Sequence, residues 1–224
     1  MAADYKADLE FGSDIQERRS NISFNVIPGE RITLATQIEP SANSATGNCS
    51  SNRKLSLSEL VEVLSAQTTP PSLKQLYGWL ENASFSEAEL QGYVGFKDRT
   101  YWRHLVCRNE SVEMLVLCWR PGQRTVIHDH NGSVGAVLVQ SGVLWETTFK
   151  FDEERGLRYK AVSEYQPGAL TGADVPDIHQ LGNPDVSEKN LVTIHVYSPP
   201  LGVLHTYKPG SAEIELYTPE PPIT

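Results

Sequence analysis

The hydrophobic positions along the chain change their spacing near residue 100. Before that point apolar residues recur every three or four positions, which is typical of one face of an α-helix. One helix is predicted to begin after Ser56, because the spacing from Ser56 to Glu59 fits a capping box. A second helix is predicted after residues 70–72 and a short third one after residues 84–87. Their apolar stripes are most simply surfaces that face a core.

After residue 100 the chain is predicted to form β-strands. Short runs rich in β-branched and aromatic residues are separated by Gly, Pro and Asn turn signals. The runs are Tyr101–Cys107, Val112–Trp119, Arg124–His128, Gly135–Gln140, Leu144–Phe151, Leu157–Ser163, Asn190–Tyr197 and Gly202–Tyr207. Many strands at close spacing, without alternating helices, favour an all-β barrel or jelly roll. We therefore predict a small closed barrel with a site in its interior and the few N-terminal helices packed outside.

The first part of the chain has a different character. Residues 1–20 are polar and charged, and residues 41–51 are rich in Ser, Asn, Ala and Gly, as in a flexible linker. We predict a partly disordered N-terminal arm over residues 1–55 and a single domain over residues 56–224.

Composition narrows the range of partners. The 224 residues carry a formal charge of −9, which argues against nucleic acid or an anionic membrane as the main partner. The sequence shows neither a transmembrane run nor a signal peptide. Its three cysteines lack CxxC spacing, so a disulfide scaffold or a thiolate zinc site is not expected. The prediction is a cytoplasmic protein that acts on a small molecule as a monomer.

Two histidines in one predicted strand give the strongest chemical signal. His128 and His130 are two residues apart, so in an extended strand both imidazoles point to the same face and Asp129 points away. His179, from a distant strand, would complete a neutral three-nitrogen metal site with coordination positions left open for substrate. Imidazole suits zinc, copper, iron and nickel, so these ligands do not name the metal. The plainer interpretation is that the histidines are polar residues of a barrel wall.

The glycines around these histidines resemble the first motif of the cupin superfamily. The spacing reads Gly122-x5-His128-x-His130-x4-Gly135-x6-Gly142. In cupins a Glu usually stands where this chain has Gly135. The second cupin motif ends in His-x3-Asn, which His179 and Asn183 supply. A cupin barrel is therefore the predicted fold. Because three imidazoles carry no charge, a bound metal would keep its full charge for an anionic ligand such as a thiolate.

Four separated motifs then resemble the cysteine dioxygenase family of thiol dioxygenases. They are Tyr101-Trp102-Arg103, Leu117-Cys118-Trp119, Ile127-His128-Asp129-His130 and His195-Val196-Tyr197-Ser198-Pro199-Pro200. The resemblance implies one Fe(II) per chain, bound by three histidines inside a cupin barrel. It also implies a reaction in which both atoms of O2 are added to the sulfur of free L-cysteine, giving cysteine sulfinic acid.

The resemblance also implies roles for individual side chains. Arg103 would anchor the substrate carboxylate with help from Tyr101, since a buried guanidinium needs an anion and pairs with a carboxylate through two hydrogen bonds. Trp119 would line the pocket. Tyr197 would hydrogen-bond the reacting centre, and His195 would orient it or contact the carboxylate. The competing interpretations are a surface arginine in an ion pair, a buried structural tryptophan and a core histidine.

One position departs from the animal members of that family. They carry a Cys at the position of Gly135, and its sulfur is linked to the active-site tyrosine; bacterial-type members share the glycine. Tyr197 is therefore predicted to be a free phenol. The resemblance also implies a cis peptide bond at Ser198–Pro199.

Three other functions remain open at this point. A sister enzyme that oxidises 3-mercaptopropionate would use the same metal site, but such enzymes typically have Gln at the position of Arg103. A zinc cupin that hydrolyses or isomerises its substrate would use the same ligands for a different reaction. A non-catalytic cupin-type binding domain would tolerate loss of His128 or His179.

Overall fold

A computed structural model of the protein describes residues 53–173 and 177–224, except for the side chain of Ala173. The predicted arm over residues 1–55 lies outside the described residues apart from its last three. Among those three, Leu55 forms an isolated bridge with Ala83, and its backbone N–H donates to the carbonyl oxygen of Asn82 at 2.6 Å.

The three predicted helices are confirmed. They are α1 (Leu57–Ser65), α2 (Leu73–Glu81) and α3 (Glu87–Leu90). The capping box predicted at the start of α1 is present: Ser56 Oγ accepts from the backbone N–H of Glu59, and the Ser56 backbone N–H donates to the Glu59 carboxylate. The helices bury their leucines, including Leu60 and Leu76, against one face of a β-sheet. Among the described residues, no helix is long and apolar enough to cross a membrane.

In the part of the chain that the structure describes, ten strands follow the helices and form three antiparallel sheets. The strands are β1 (Trp102–Arg108), β2 (Glu113–Trp119), β3 (Val134–Ser141), β4 (Leu144–Asp152), β5 (Gly156–Tyr165), β6 (Leu170–Ala173), β7 (His179–Gly182), β8 (Leu191–Ser198), β9 (Leu204–Tyr207) and β10 (Ile214–Tyr217). The large sheet has the order β1-β2-β8-β3-β6, the second β5-β4-β7, and the third β10-β9. The prediction of an all-β, jelly-roll-like cupin barrel with helices outside is confirmed, but the predicted closure is not, because the strands of the described residues form three separate open sheets.

Strand β2 shows why the large sheet needs two apolar faces. Met114, Val116 and Cys118 belong to the core cluster under the helices. Leu115 and Leu117 alternate with them and belong to an interior cluster that also contains residues of β4 and β7 from the second sheet. The strand is buried along its whole length because each face is covered by a different layer.

The strand assignment was wrong in two respects. Residues 124–128 do not form a regular strand; Arg124 and His128 make only isolated bridges, which include one between His128 and His179. The short strands β6, β7 and β10 were missed because each has only four residues, too few to show a clear alternation. One of the missed strands, β7, begins at His179.

Candidate metal centre and substrate cavity

The three predicted metal ligands converge in the interior. His128, His130 and His179 each offer one ring nitrogen, and these nitrogens lie within 4.8 Å of one another. The Nε2 atoms of His130 and His179 are 3.3 Å apart. Two nitrogens bound to one metal at about 2.0–2.1 Å in tetrahedral geometry would be separated by about 3.4 Å. The spacing therefore fits a single metal ion.

The backbone brings two of these ligands together across strands. The backbone N–H of His128 donates to the carbonyl oxygen of His179 at 3.0 Å, and the reverse bond is 2.9 Å long. The two residues thus form a hydrogen-bonded antiparallel pair, although the segment that contains His128 is not a regular strand. The side chain of Asp129 lies away from the ligand cluster, as predicted, and accepts hydrogen bonds from Tyr207 and the backbone of Asn131.

Hydrogen bonds fix which ring nitrogen is available in His128 and His179. His128 Nδ1 lies 2.9 Å from the carbonyl oxygen of Val126, which can only accept, so Nδ1 carries the proton and Nε2 keeps its lone pair. His179 Nδ1 lies 2.7 Å from Oε1 of Glu146 and is arranged in the same way. His130 Nδ1 has no hydrogen-bond partner among the described residues.

Burial keeps the ligands in the form that binds metals. Removal from water, followed by the proximity of His179, lowers the pKa of His128 to about 3. The same two causes hold the pKa of His130 well below its ordinary value. Both imidazoles are therefore neutral at pH 7, as metal coordination requires.

Sequence reasoning missed Glu146, which holds the third ligand in place. Its carboxylate is buried and accepts hydrogen bonds from Tyr165 at 3.0 Å and from Thr171 at 2.9 Å, in addition to His179. Burial alone would raise the pKa of Glu146, but the hydrogen bonds from His179, Thr171 and Tyr165 outweigh it and the pKa is lowered. An ionised carboxylate thus lies directly behind His179, a position that increases the basicity of the imidazole.

Gly135 lies beside both a ligand and the predicted catalytic tyrosine. A Cβ at this position would lie 3.0 Å from the ring of Tyr197 and 3.5 Å from the ring of His130. A side chain here would therefore press on the tyrosine ring, and the absence of one leaves Tyr197 without a sulfur partner at residue 135. The Ser198–Pro199 bond after β8 is cis.

Tyr197 ends a chain of buried hydrogen bonds along β8. Trp119 Nε1 donates to Thr193 Oγ1 at 3.0 Å, Thr193 Oγ1 lies 2.8 Å from His195 Nε2, and His195 Nδ1 lies 2.9 Å from the Tyr197 hydroxyl. The indole can only donate, so Thr193 accepts from it and has its own proton for His195 Nε2. With the proton of His195 on Nδ1, this nitrogen donates to the Tyr197 hydroxyl, whose proton is then left for another acceptor; with the proton on Nε2, the two contacts run in the opposite direction.

Burial fixes the protonation of this chain. It lowers the pKa of His195 to about 3, with Arg103 adding to the effect, and it raises the pKa of Tyr197. At neutral pH the imidazole is therefore uncharged and the phenol keeps its proton.

Arg103 and Tyr101 both line a partly open cavity beside the metal centre, and Arg103 is only partly buried there. The cavity has a volume of about 30 Å³, and its lining includes Tyr101, Arg103, His128, His195 and Tyr197. One N–H of the Arg103 guanidinium donates to the carbonyl oxygen of Glu220. The predicted anion-binding group thus shares a cavity with a metal ligand and with the predicted catalytic pair.

Trp119 lies one layer further back than predicted. It is fully buried and stacks on Tyr101 with ring centroids 4.2 Å apart, and it is not among the described residues that line the cavity. Its indole N–H is used by Thr193, so its position fits support of Tyr101 and Thr193 rather than contact with a ligand.

The family model for cysteine dioxygenase type I matches residues 72–209. The chain belongs to the cysteine dioxygenase type I family. That match contains every site residue named above except Glu220. Cysteine dioxygenase family membership and the three-histidine cluster together make this chain a thiol dioxygenase with a metal centre.

Individual relatives are distant. The chain is 28% identical over 140 residues to cysteine dioxygenase type 1 of Rattus norvegicus, covering 61% of this chain and 70% of the relative. It is 26% identical over 168 residues to the Danio rerio protein of the same name, covering 66% and 83%. A Klebsiella pneumoniae protein with a double-stranded β-helix domain aligns with 58% of this chain and 89% of its own length, at 18% identity and a TM-score of 0.43.

Proposed function

We propose that this protein is an Fe(II) enzyme that oxidises L-cysteine with O2 to cysteine sulfinic acid. The carrying observation is that one partly open cavity is lined both by His128 of the three-histidine cluster and by the Arg103 guanidinium, which is the pair of features needed to hold a thiolate and a carboxylate together. Arg103 lies within the same lining as His128, so both ends of a small amino acid can be held at once.

The metal would be held by His128, His130 and His179 through their Nε2 atoms, with one Fe(II) per chain. When bound, iron supplies the redox chemistry that joins O2 to a thiolate. The neutrality of the three ligands leaves the full charge of the ion for the thiolate, and Glu146 keeps His179 oriented toward it. These donors fit iron but do not by themselves exclude zinc.

The protein's own groups would bind and orient the substrate. Arg103 pairs with the carboxylate, with Tyr101 beside it on the cavity wall. With its proton on Nδ1, His195 would donate to the Tyr197 hydroxyl, and the proton of Tyr197 would then be free to point to a ligand in the cavity. The high pKa of Tyr197 keeps that proton in place, which makes the phenol a hydrogen-bond donor to the reacting atoms.

The test is to load the purified protein with Fe(II) under anaerobic conditions and then to add O2 with L-cysteine or 3-mercaptopropionate. We expect O2 uptake, cysteine sulfinic acid identified by mass, and a higher kcat/KM for cysteine. A clear preference for 3-mercaptopropionate would overturn the substrate assignment. Tight zinc binding without O2 uptake under any loading would overturn the dioxygenase assignment.

A further inference from the structure

We propose that the C-terminal segment, residues 214–223, forms the outer wall of the substrate cavity and that Tyr217 limits the size of the thiol that enters. This inference rests on the proposed function. The segment lies beyond residue 209, where the match to the family model ends. The match to the family model therefore does not include this part of the cavity wall.

Two cavities meet beneath this segment. The inner one, next to the metal centre, has a volume of about 30 Å³, and the outer one about 160 Å³. A single water needs about 10–15 Å³ on such a measure, so the inner cavity is small. The two linings share four residues, Tyr101, Arg103, Val126 and Tyr217. Tyr217 thus lies where the outer cavity passes into the inner one.

The strand pairing of the segment sets the position of Tyr217. Strand β10 pairs with β9, and Tyr217 lies directly opposite Leu204, which also lines the inner cavity. Two residues further along, Pro219 lines the same cavity. The tyrosine is therefore held by sheet pairing on one side and by a residue with a fixed φ angle on the other.

The end of the segment is bound to the strand that carries Arg103. The backbone N–H of Ile223 donates to the carbonyl oxygen of Arg103 at 2.9 Å, and the N–H of Leu105 donates to Ile223 at 2.8 Å. These bonds use the free edge of β1, the outermost strand of the large sheet. The carbonyl oxygen of Glu220 accepts from the Arg103 guanidinium. One backbone segment therefore orients the arginine and also places Tyr217 above it.

This arrangement has a consequence for specificity. Among the described residues, Glu220 is the one acceptor found for the five N–H groups of the Arg103 guanidinium, which leaves the other groups for a ligand. A substrate carboxylate that binds these N–H groups must lie next to Tyr217, because Tyr217 and Arg103 line the same two cavities. A single amino acid meets this requirement, whereas a peptide thiol would place its additional residue against the Tyr217 ring.

The experiment compares L-cysteine with the dipeptide cysteinylglycine. In Tyr217→Ala we expect the ratio of kcat/KM for the dipeptide to that for cysteine to rise at least about tenfold over the wild type. Tyr217→Phe keeps the ring and should change the ratio less than about twofold. Leu216→Ala is the matched control, because Leu216 is the neighbouring residue of β10 and is 73% exposed. Tyr217→Leu is a second variant with a smaller side chain, and thermal unfolding establishes that each variant folds.

Calorimetric binding of both thiols to the zinc-loaded protein gives a readout that does not need turnover. We expect the ratio of the two dissociation constants to shift about tenfold in Tyr217→Ala and Tyr217→Leu. If the wild type oxidises cysteine but neither variant changes either ratio by more than about twofold, the role of Tyr217 is wrong and the proposed function stands. If the wild type takes up no O2, the proposed function fails, and the binding ratios alone then support or overturn the role of Tyr217.

Discussion

The two faces of strand β8 differ in chemistry although they alternate along one chain segment. Val192, Ile194 and Val196 pack into the cluster beneath the helices. Thr193, His195 and Tyr197 lie on the opposite face. All six side chains are buried, between 0% and 7% exposed. Burial is thus the same on both faces, while the side chains it encloses are apolar on one and polar on the other.

The difference shows how one strand can serve both stability and function. On the helix side, burial of apolar surface stabilises the fold directly. On the interior side, burial requires that every polar group find a partner, which links His195 to Thr193 and Tyr197. Substitutions on the helix side should therefore change stability, and substitutions in the interior should change chemistry.

The largest effect is expected for His179→Ala, which removes a metal ligand from the interior. With only two imidazoles left, we expect metal binding to weaken beyond detection at micromolar metal and O2 uptake to fall at least about a thousandfold. Metal analysis after gel filtration and an oxygen electrode measure the two effects. His104→Ala is the control, since His104 contacts the rings of Tyr93 and Trp102 outside the centre. Full metal content in His179→Ala would contradict the account.

The next largest effect is expected on the helix side. Ile194→Ala leaves a cavity beneath the helices and should lower the free energy of unfolding by about 2–4 kcal/mol, whereas Ile194→Val should cost about 1 kcal/mol. Denaturant titration measures both. Below the melting temperature, the KM for cysteine should stay within about twofold of the wild type. A large change in KM with little loss of stability would show that the two faces are not separable.

A smaller effect is expected for Glu146→Gln. The amide keeps the size of the side chain but removes the charge that supports His179, so metal affinity should fall about 10–100-fold. Glu164→Gln is the matched control, because Glu164 accepts from an indole at the surface instead of a metal ligand. Competition with a coloured chelator measures the affinity. Equal affinities for the two variants would contradict the role of Glu146.

The smallest effect is the dependence of stability on pH. The pKa values of His128 and His195 are lowered to about 3, against about 6.5 in the unfolded chain. Between those values the unfolded chain binds more protons, so this contribution is present above about pH 6.5 and is lost as the pH falls toward 3. The metal-free protein should lose about 1 kcal/mol per histidine between pH 7 and pH 5.5. Denaturant titrations at pH 7 and at pH 5.5 measure this loss. Equal free energies of unfolding at the two pH values would contradict it.

The sequence predicted those parts of the site whose residue types are informative by themselves. His128, His130 and His179 stood out because three imidazoles in a cupin-like spacing have few other uses, and Arg103 stood out with Tyr101 two residues away. The helices were predictable because their caps and apolar stripes are local. Trp119 was predicted to line the pocket, but in the structure Tyr101 stacks on it. The sequence does not show how Tyr101 packs, so it does not show how deeply Trp119 is buried.

Glu146 and Tyr217 could not be found in this way because their roles depend on strand register. Glu146 lies opposite Leu181 in the pairing of β4 with β7, which makes His179 its diagonal neighbour. That register is set by tertiary packing, and in the sequence Glu146 is one of 28 acidic residues. A carboxylate between Trp145 and Thr147, inside a predicted strand, was the available signal. Tyr217 reaches the cavity through the pairing of β10 with β9, a strand too short to be predicted.

The central claim is that the three-histidine centre and Arg103 together carry out thiol dioxygenation. It is tested most directly by one turnover of the iron-loaded protein with L-cysteine under ¹⁸O2, followed by mass analysis of the product. We expect cysteine sulfinic acid in which both sulfinate oxygens carry the label, and no such product from His179→Ala. A product with no label or with one labelled oxygen, or oxidised cysteine formed equally by His179→Ala, would contradict it.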